Sequence, residues 1–254
     1  MELIAQRVFD PVYIIFDCIF LVFLMGLLLW KKKYPEVIVG LLAGGLYMAV
    51  DYGIFHLLCH SRQISDGYSL FWVLLWMSVS YGFTNFVWIR LMLAKDKDWK
   101  EWTTLILGWW FCCPLLAQTF GGKLPPVVIQ RTTGSYHGYM AIILFVGYAG
   151  VIIWNLAHPK KEEKIPIMRL LAIGIGVQFG WEAALLLGGV RSAMLADMAA
   201  KMRPLIINSL LETNLGLPYL YAIHIWYTSR YDERMKKKAK PMTFLESVRM
   251  NNAL

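Results

Sequence analysis

Asp51, Glu182 and Glu212 are carboxylic acids set inside apolar stretches that read AVDYGIF, FGWEAAL and SLLETNL. A carboxyl group kept from water, with no cation beside it, tends to keep its proton. Facing a bound molecule, it can donate that proton as a general acid. The three are therefore the candidate catalytic residues. Helical spacing gives each a polar companion. Tyr47 lies four residues before Asp51, Gln178 four before Glu182, and Asn208 four before Glu212, so each pair shares a helix face. Tyr81, Thr84, Asn85 and Trp88 recur on one face of a further stretch. Tyr47, Tyr81, Trp181, Gln178, Asn208 and Asn85 are the candidate substrate-binding residues: amides bond to a polar group, and aromatic faces stabilise a developing cation.

Other chemistries fall short. HLLCH puts His56, Cys59 and His60 on about one helical turn, but a metal centre of the membrane di-iron kind needs a larger ligand set than the scattered histidines supply. No metal and no other cofactor is expected. There is no phosphate-binding or dinucleotide fingerprint and no nucleophile elbow. A retinal site would need a lysine inside the seventh apolar run, which has none.

The elements that must hold these residues follow from composition. The chain has 254 residues, 58% hydrophobic and 17% charged, too apolar for an ordinary soluble domain. Seven apolar runs, at 11–30, 36–59, 69–93, 102–121, 137–157, 166–188 and 204–227, each reach the length of about 20 residues that spans a bilayer. A spanning segment satisfies its own backbone as a helix. The expected architecture is an all-α integral membrane protein of seven transmembrane helices, with a membrane domain over 1–229 and a basic cytoplasmic tail over 230–254. Lysines crowd the loops after the first, third and fifth runs and the tail, whereas the other side carries Arg7, Arg62, Lys123, Arg131, Arg191, Lys201 and Arg203. The bias predicts the N-terminus outside and the C-terminus in the cytoplasm. It also accounts for the net charge of +8. Because the basic residues are dispersed, membrane lipid and not nucleic acid is the expected polyanionic partner.

Asp10 and Pro11 suit the N-cap and first turn of the first helix. That run lacks a basic leader and an Ala-x-Ala site, so it is expected to be retained. The four cysteines fall in or at the ends of helices, and no disulfide framework is expected. With a rise of about 1.5 Å per residue, Asp17, Asp51, Glu182 and Glu212 lie roughly 9–14 Å below the outer helix ends. No lysine or arginine stands in the middle of a helix to pair with them. Ionisable groups at such depth point to function; the blander reading is that each acid only fixes the packing of neighbouring helices.

The stretch Lys33–Asp51 aligns without a gap on Lys164–Glu182, matching Pro35 to Pro166 and Asp51 to Glu182 at an offset of 131 residues. The same offset sets Tyr81 opposite Glu212. This suggests a parallel 3+1+3 repeat, an arrangement used by some transporters.

AVDYGIFHLLCHSR in the second run and LIINSLLETNLGLPYLYAIHIWYTSRYDE in the seventh resemble the small seven-helix integral membrane terpene cyclases of fungal meroterpenoid and indole-diterpene pathways and their bacterial relatives. That family sets one acid in the second helix, usually after Trp, and another in the seventh. Asp51 and Glu212 stand at those positions, with Gly216 and Tyr219 near the family's glycine and tyrosine. Val50 replaces the usual Trp and Asp51 the usual Glu, while Trp181–Glu182 supplies a Trp-Glu pair on the sixth run. The resemblance implies non-redox cyclisation of a prenyl chain or its terminal epoxide, with a hydrophobic prenylated molecule as substrate. Asp51 and Glu212 would be the acid pair, and Glu182 would assist. The alternative is a proton-coupled small-molecule transporter built on the repeat; a third reading is a membrane component whose acids only pin helices. The outer loop from Gln118 to Gly138 serves as a lid in either active case, or as a linker.

Overall fold

The computed structural model describes residues 6–131, 136–191, 197–236 and 243–253. Helix α1 (Pro11–Trp30) starts where expected: Asp10 caps it by accepting from the Val12 N–H at 2.8 Å, and Pro11 opens the first turn. Then come α2 (Tyr34–Met48), α3 (Leu70–Leu93), α4 (Trp99–Phe120), α5 (His137–Ala157) and α6 (Ile167–Leu187). Among the described residues, counting the turns that extend α2 and α6, six helices are long and apolar enough to cross a membrane. Their outward faces carry large exposed apolar side chains such as Leu42, Phe145 and Leu156. In water such faces would aggregate; in lipid they are the solvated surface. The chain is a helical, multi-pass membrane protein.

Helices α3 and α6 form the centre, with 56% of their most apolar windows buried, against 11% for α5 at the edge. Small residues allow the close approaches. A Cβ on Gly82 of α3 would meet the Gly44 Cα of α2 at 2.8 Å, and one on Gly40 would meet Val87 at 2.8 Å, so Gly40 and Gly44, one turn apart on α2, seat a neighbouring helix.

Two local breaks shape the interior. Helix α2 widens into a π-helical segment, Ala49–Leu58, ending in a Cys59 N–H to Ile54 carbonyl bond of 2.9 Å. Such wide turns are frequent at functional sites, and this one carries Asp51. The second break corrects an expectation: run 204–227 is not one helix. Helix α7 (Met198–Leu211) ends, a 3₁₀ turn (Asn214–Gly216) follows, and α8 (Leu217–Lys236) begins. The Asn214 amide donates to the Ser209 and Leu210 carbonyls at 3.4 and 3.3 Å, taking carbonyls the helix leaves unpaired. Its side chain also fills the space that a Cβ on Gly174 of α6 would need. Pro218 restarts the helix, because its missing N–H is harmless in a first turn.

A small antiparallel sheet, unforeseen in the sequence, closes one end of the bundle in the order β1 (Gln6–Phe9), β3 (Val127–Arg131), β2 (Arg62–Ile64). Part of the expected lid loop is thus strand β3. The register pairs Arg7 with Ile129, Phe9 with Val127, Ile64 with Ile129, and Arg62 with Arg131. Arg191, after α6, adds a one-residue bridge to Arg7. At the opposite end α9 (Phe244–Ala253) packs back under the bundle. Its Arg249 pairs with Glu163, and its Asn252 amide donates to the Glu162 and Lys164 carbonyls.

Candidate functional site

Cross-strand partners point to the same face of a sheet. The register therefore sends Arg7, Arg62, Arg131 and Arg191 all to one face, together with Phe9, Val127 and Ile129. Phe9, Val127 and Ile129 are buried, so this face is the one turned onto the helices. Beneath its arginines lies a cavity of about 340 Å³, within the size range of small-molecule pockets. All four arginines line it, as do Asp51 and Glu212. Tyr47 and Tyr81 form one wall, and Phe55, Phe86, Met140 and Leu220 make much of the rest apolar.

The expectation that no cation pairs with the buried acids is overturned. Asp51 accepts from Arg62 Nε at 2.8 Å on one oxygen and from an Arg131 terminal nitrogen at 2.7 Å on the other. Arg62 and Arg131 face each other across strands, an arrangement that repels unless an anion sits between them; Asp51 is that anion. Arg191 pairs with Glu182. These cations do not stand inside the helices; they reach down from the strands and the bridge at the helix ends.

Gln178, fully buried in α6, ties the remaining groups together. Its carbonyl oxygen accepts from the Tyr81 hydroxyl at 2.6 Å and the Thr213 hydroxyl at 2.5 Å. Its amide nitrogen donates to Glu212 Oε2 at 2.9 Å and to Glu182 Oε1 at 3.3 Å. That uses every donor the amide has and two acceptor positions, so the rotamer is over-determined. Asn208 adds a 3.1 Å bond to Glu182. Glu182, Gln178 and Asn208 are thus brought together behind the cavity wall, not in it. Glu212 differs from the other two acids: among the described residues it has no ion pair, and its Oε1 takes no hydrogen bond. Glu212 caps the C-terminus of α7 and so stands at the break between α7 and α8.

The aromatic candidates form a continuous contact line. Tyr47 meets Tyr81 at 5.1 Å between ring centroids, Tyr81 meets Trp181 at 5.3 Å, and Trp181 meets Trp110 at 5.0 Å. Tyr47 and Tyr81 face the cavity, while Trp181 supports Tyr81 from behind. Asn85 is buried one turn away and donates to the Tyr81 carbonyl at 2.8 Å; it does not line the cavity. Asp17 does not line the cavity. It accepts from the Trp76 and Trp109 indoles at 2.9 and 3.0 Å, so its role is to bind α1 to α3 and α4.

The four arginines are the site residues that sequence reasoning missed. Their signal lay in the basic residues of the lysine-poor side, most of which are arginine. Arginine is the cation suited to buried, bidentate pairing with carboxylates. Compared with family models, curated proteins and solved structures, the chain matches none.

Proposed function

We propose that the protein is a membrane-embedded, non-redox cyclase that acts on a prenyl chain or its terminal epoxide, with Glu212 as the general acid. The observation that carries this reading is the unpartnered Oε1 of Glu212 on a largely apolar cavity. A proton passes from Glu212 to a terminal alkene carbon or an epoxide oxygen. The π electrons of the next double bond then close the ring, and the final carbocation loses a proton to a carboxylate, so substrate and product have equal mass. Tyr47 and Tyr81 stabilise the cation through their ring faces, and the apolar walls keep water from capturing it. Asp51 has a guanidinium on each oxygen and holds Arg62 and Arg131 in place, which leaves the donor role to Glu212. Glu182 and Gln178 position Glu212.

Seven crossings fit this reading, the seventh shared by α7 and α8 around their break. The lysine bias sets the sheet end outside and the C-terminus in the cytoplasm. The aligned segments that end at Asp51 and Glu182 belong to a parallel 3+1+3 repeat in the same reading. One observation favours a second function: a discontinuous helix at a buried site is also how transporters build a binding site, and a proton-coupled small-molecule transporter would use Glu212 as its proton carrier.

Membranes containing the protein should convert one of a panel of geranyl, farnesyl and geranylgeranyl compounds, or their terminal epoxides, into a ring product of unchanged mass. Glu212→Gln should abolish the conversion. Passage of an unaltered compound across proteoliposomes, with no ring product, would replace the cyclase by the transporter.

A further inference from the structure

Four guanidiniums face the cavity against three carboxyl groups, two in its lining and Glu182 just behind. Asp51 takes Arg62 and Arg131, and Glu182 takes Arg191. The Arg7 side chain makes no ion pair and no hydrogen bond among the described residues, although its strand is anchored beside it by the Val8 N–H to Val190 carbonyl bond of 2.8 Å. Arg131 keeps a buried Nε without a partner. Burial, and then the neighbouring charges of Arg131 and Arg191, push the Arg7 guanidinium down to about 9, against the weaker pull of Glu182 and Glu212. A cation held among other cations in a poorly hydrated pocket calls for an anion, and a planar guanidinium matches an oxyanion with two parallel bonds.

We propose that the cavity takes an amphiphile by an anionic head, a carboxylate or a phosphate, which Arg7 binds beneath the sheet while the hydrocarbon chain lies along the apolar wall of Phe86, Met140 and Leu220. The inference rests on the cavity being the substrate site and adds the head group to the proposed reaction. Binding is measured apart from turnover, so the two fail separately: loss of cyclisation with anion binding intact removes only the reaction.

The test uses the full chain in lipid nanodiscs and three probes with one tail: farnesyl phosphate, farnesoic acid and farnesol. At least one of the two anions should bind about tenfold more tightly than the neutral alcohol, or better, and the tighter one identifies the head. Arg7→Gln should bring the anion to the affinity of farnesol, and Arg7→Lys should restore part of the preference. Because the Arg7 side chain has no direct ion pair or hydrogen bond among the described residues to lose, Arg7→Gln should leave the unfolding midpoint near that of the parent. Lys123→Gln, at an exposed position at the sheet end, should change nothing. Equal affinity for all three probes in the parent would overturn the proposal, as would an anion preference that survives Arg7→Gln or that Lys123→Gln lowers equally.

Discussion

The three candidate acids do three different kinds of work, decided by what each oxygen touches. Asp51 neutralises two facing arginines, Glu182 holds Arg191 and Asn208, and Glu212 alone leaves an oxygen unpaired on the cavity. Their substitutions should therefore separate. Glu182→Gln strands the Arg191 charge in a poorly hydrated site, and removing one partner of such a pair destabilises by about 3–5 kcal/mol. Thermal unfolding in detergent should show a clearly lower midpoint, and Glu182→Gln combined with Arg191→Gln should recover part of it. A midpoint unchanged in the single variant would mean that the pair does not hold the sheet down. The acids were legible in the sequence because a charge in an apolar run stands out. Their arginines were not, because Arg7, Arg62, Arg131 and Arg191 lie in four segments far apart in sequence that only the strand register brings to one face.

The elements supply the precision that these contacts need. Tyr81 and Asp51 face one cavity because α2 and α3 meet through glycines. A methyl group at Gly82 would push on Gly44 at 2.8 Å, and overpacking of this sort costs about 1–3 kcal/mol. Gly82→Ala should lower the unfolding midpoint and reduce turnover together. Gly26→Ala, where nothing lies within 4 Å of the added atom, should leave both unchanged or raise stability slightly, since alanine favours a helix by up to about 1 kcal/mol. Equal effects at the two glycines would argue against close packing as the cause. Six helices could be read from continuous hydropathy to within a few residues. The break at Asn214 could not, because hydropathy does not register a side chain that turns back to cap carbonyls. The alternation Val127, Ile129, Arg131 is a strand pattern in plain view, but in so short a loop nothing local says which partner strands complete it.

At the scale of the whole molecule, the sheet closes one end of a lipid-facing bundle and α9 packs at the other, so the cavity lies at the sheet end. The proposed orientation puts the sheet end outside. A cysteine introduced for Lys123 at that end should react with a membrane-impermeant maleimide in intact cells. One introduced for Lys160, at the α9 end, should react only after permeabilisation; both positions are exposed. The reverse pattern would invert the orientation and place the site on the cytoplasmic side.

The most direct measurement is the fate of one proton. With a prenyl alkene substrate in D₂O, the exchanged Glu212 carboxyl should leave one deuterium on carbon in each molecule of ring product, and Glu212→Gln should abolish product while the protein stays folded. Ring product formed by Glu212→Gln at the parent rate, or product from the parent that carries no carbon-bound deuterium, would contradict the account.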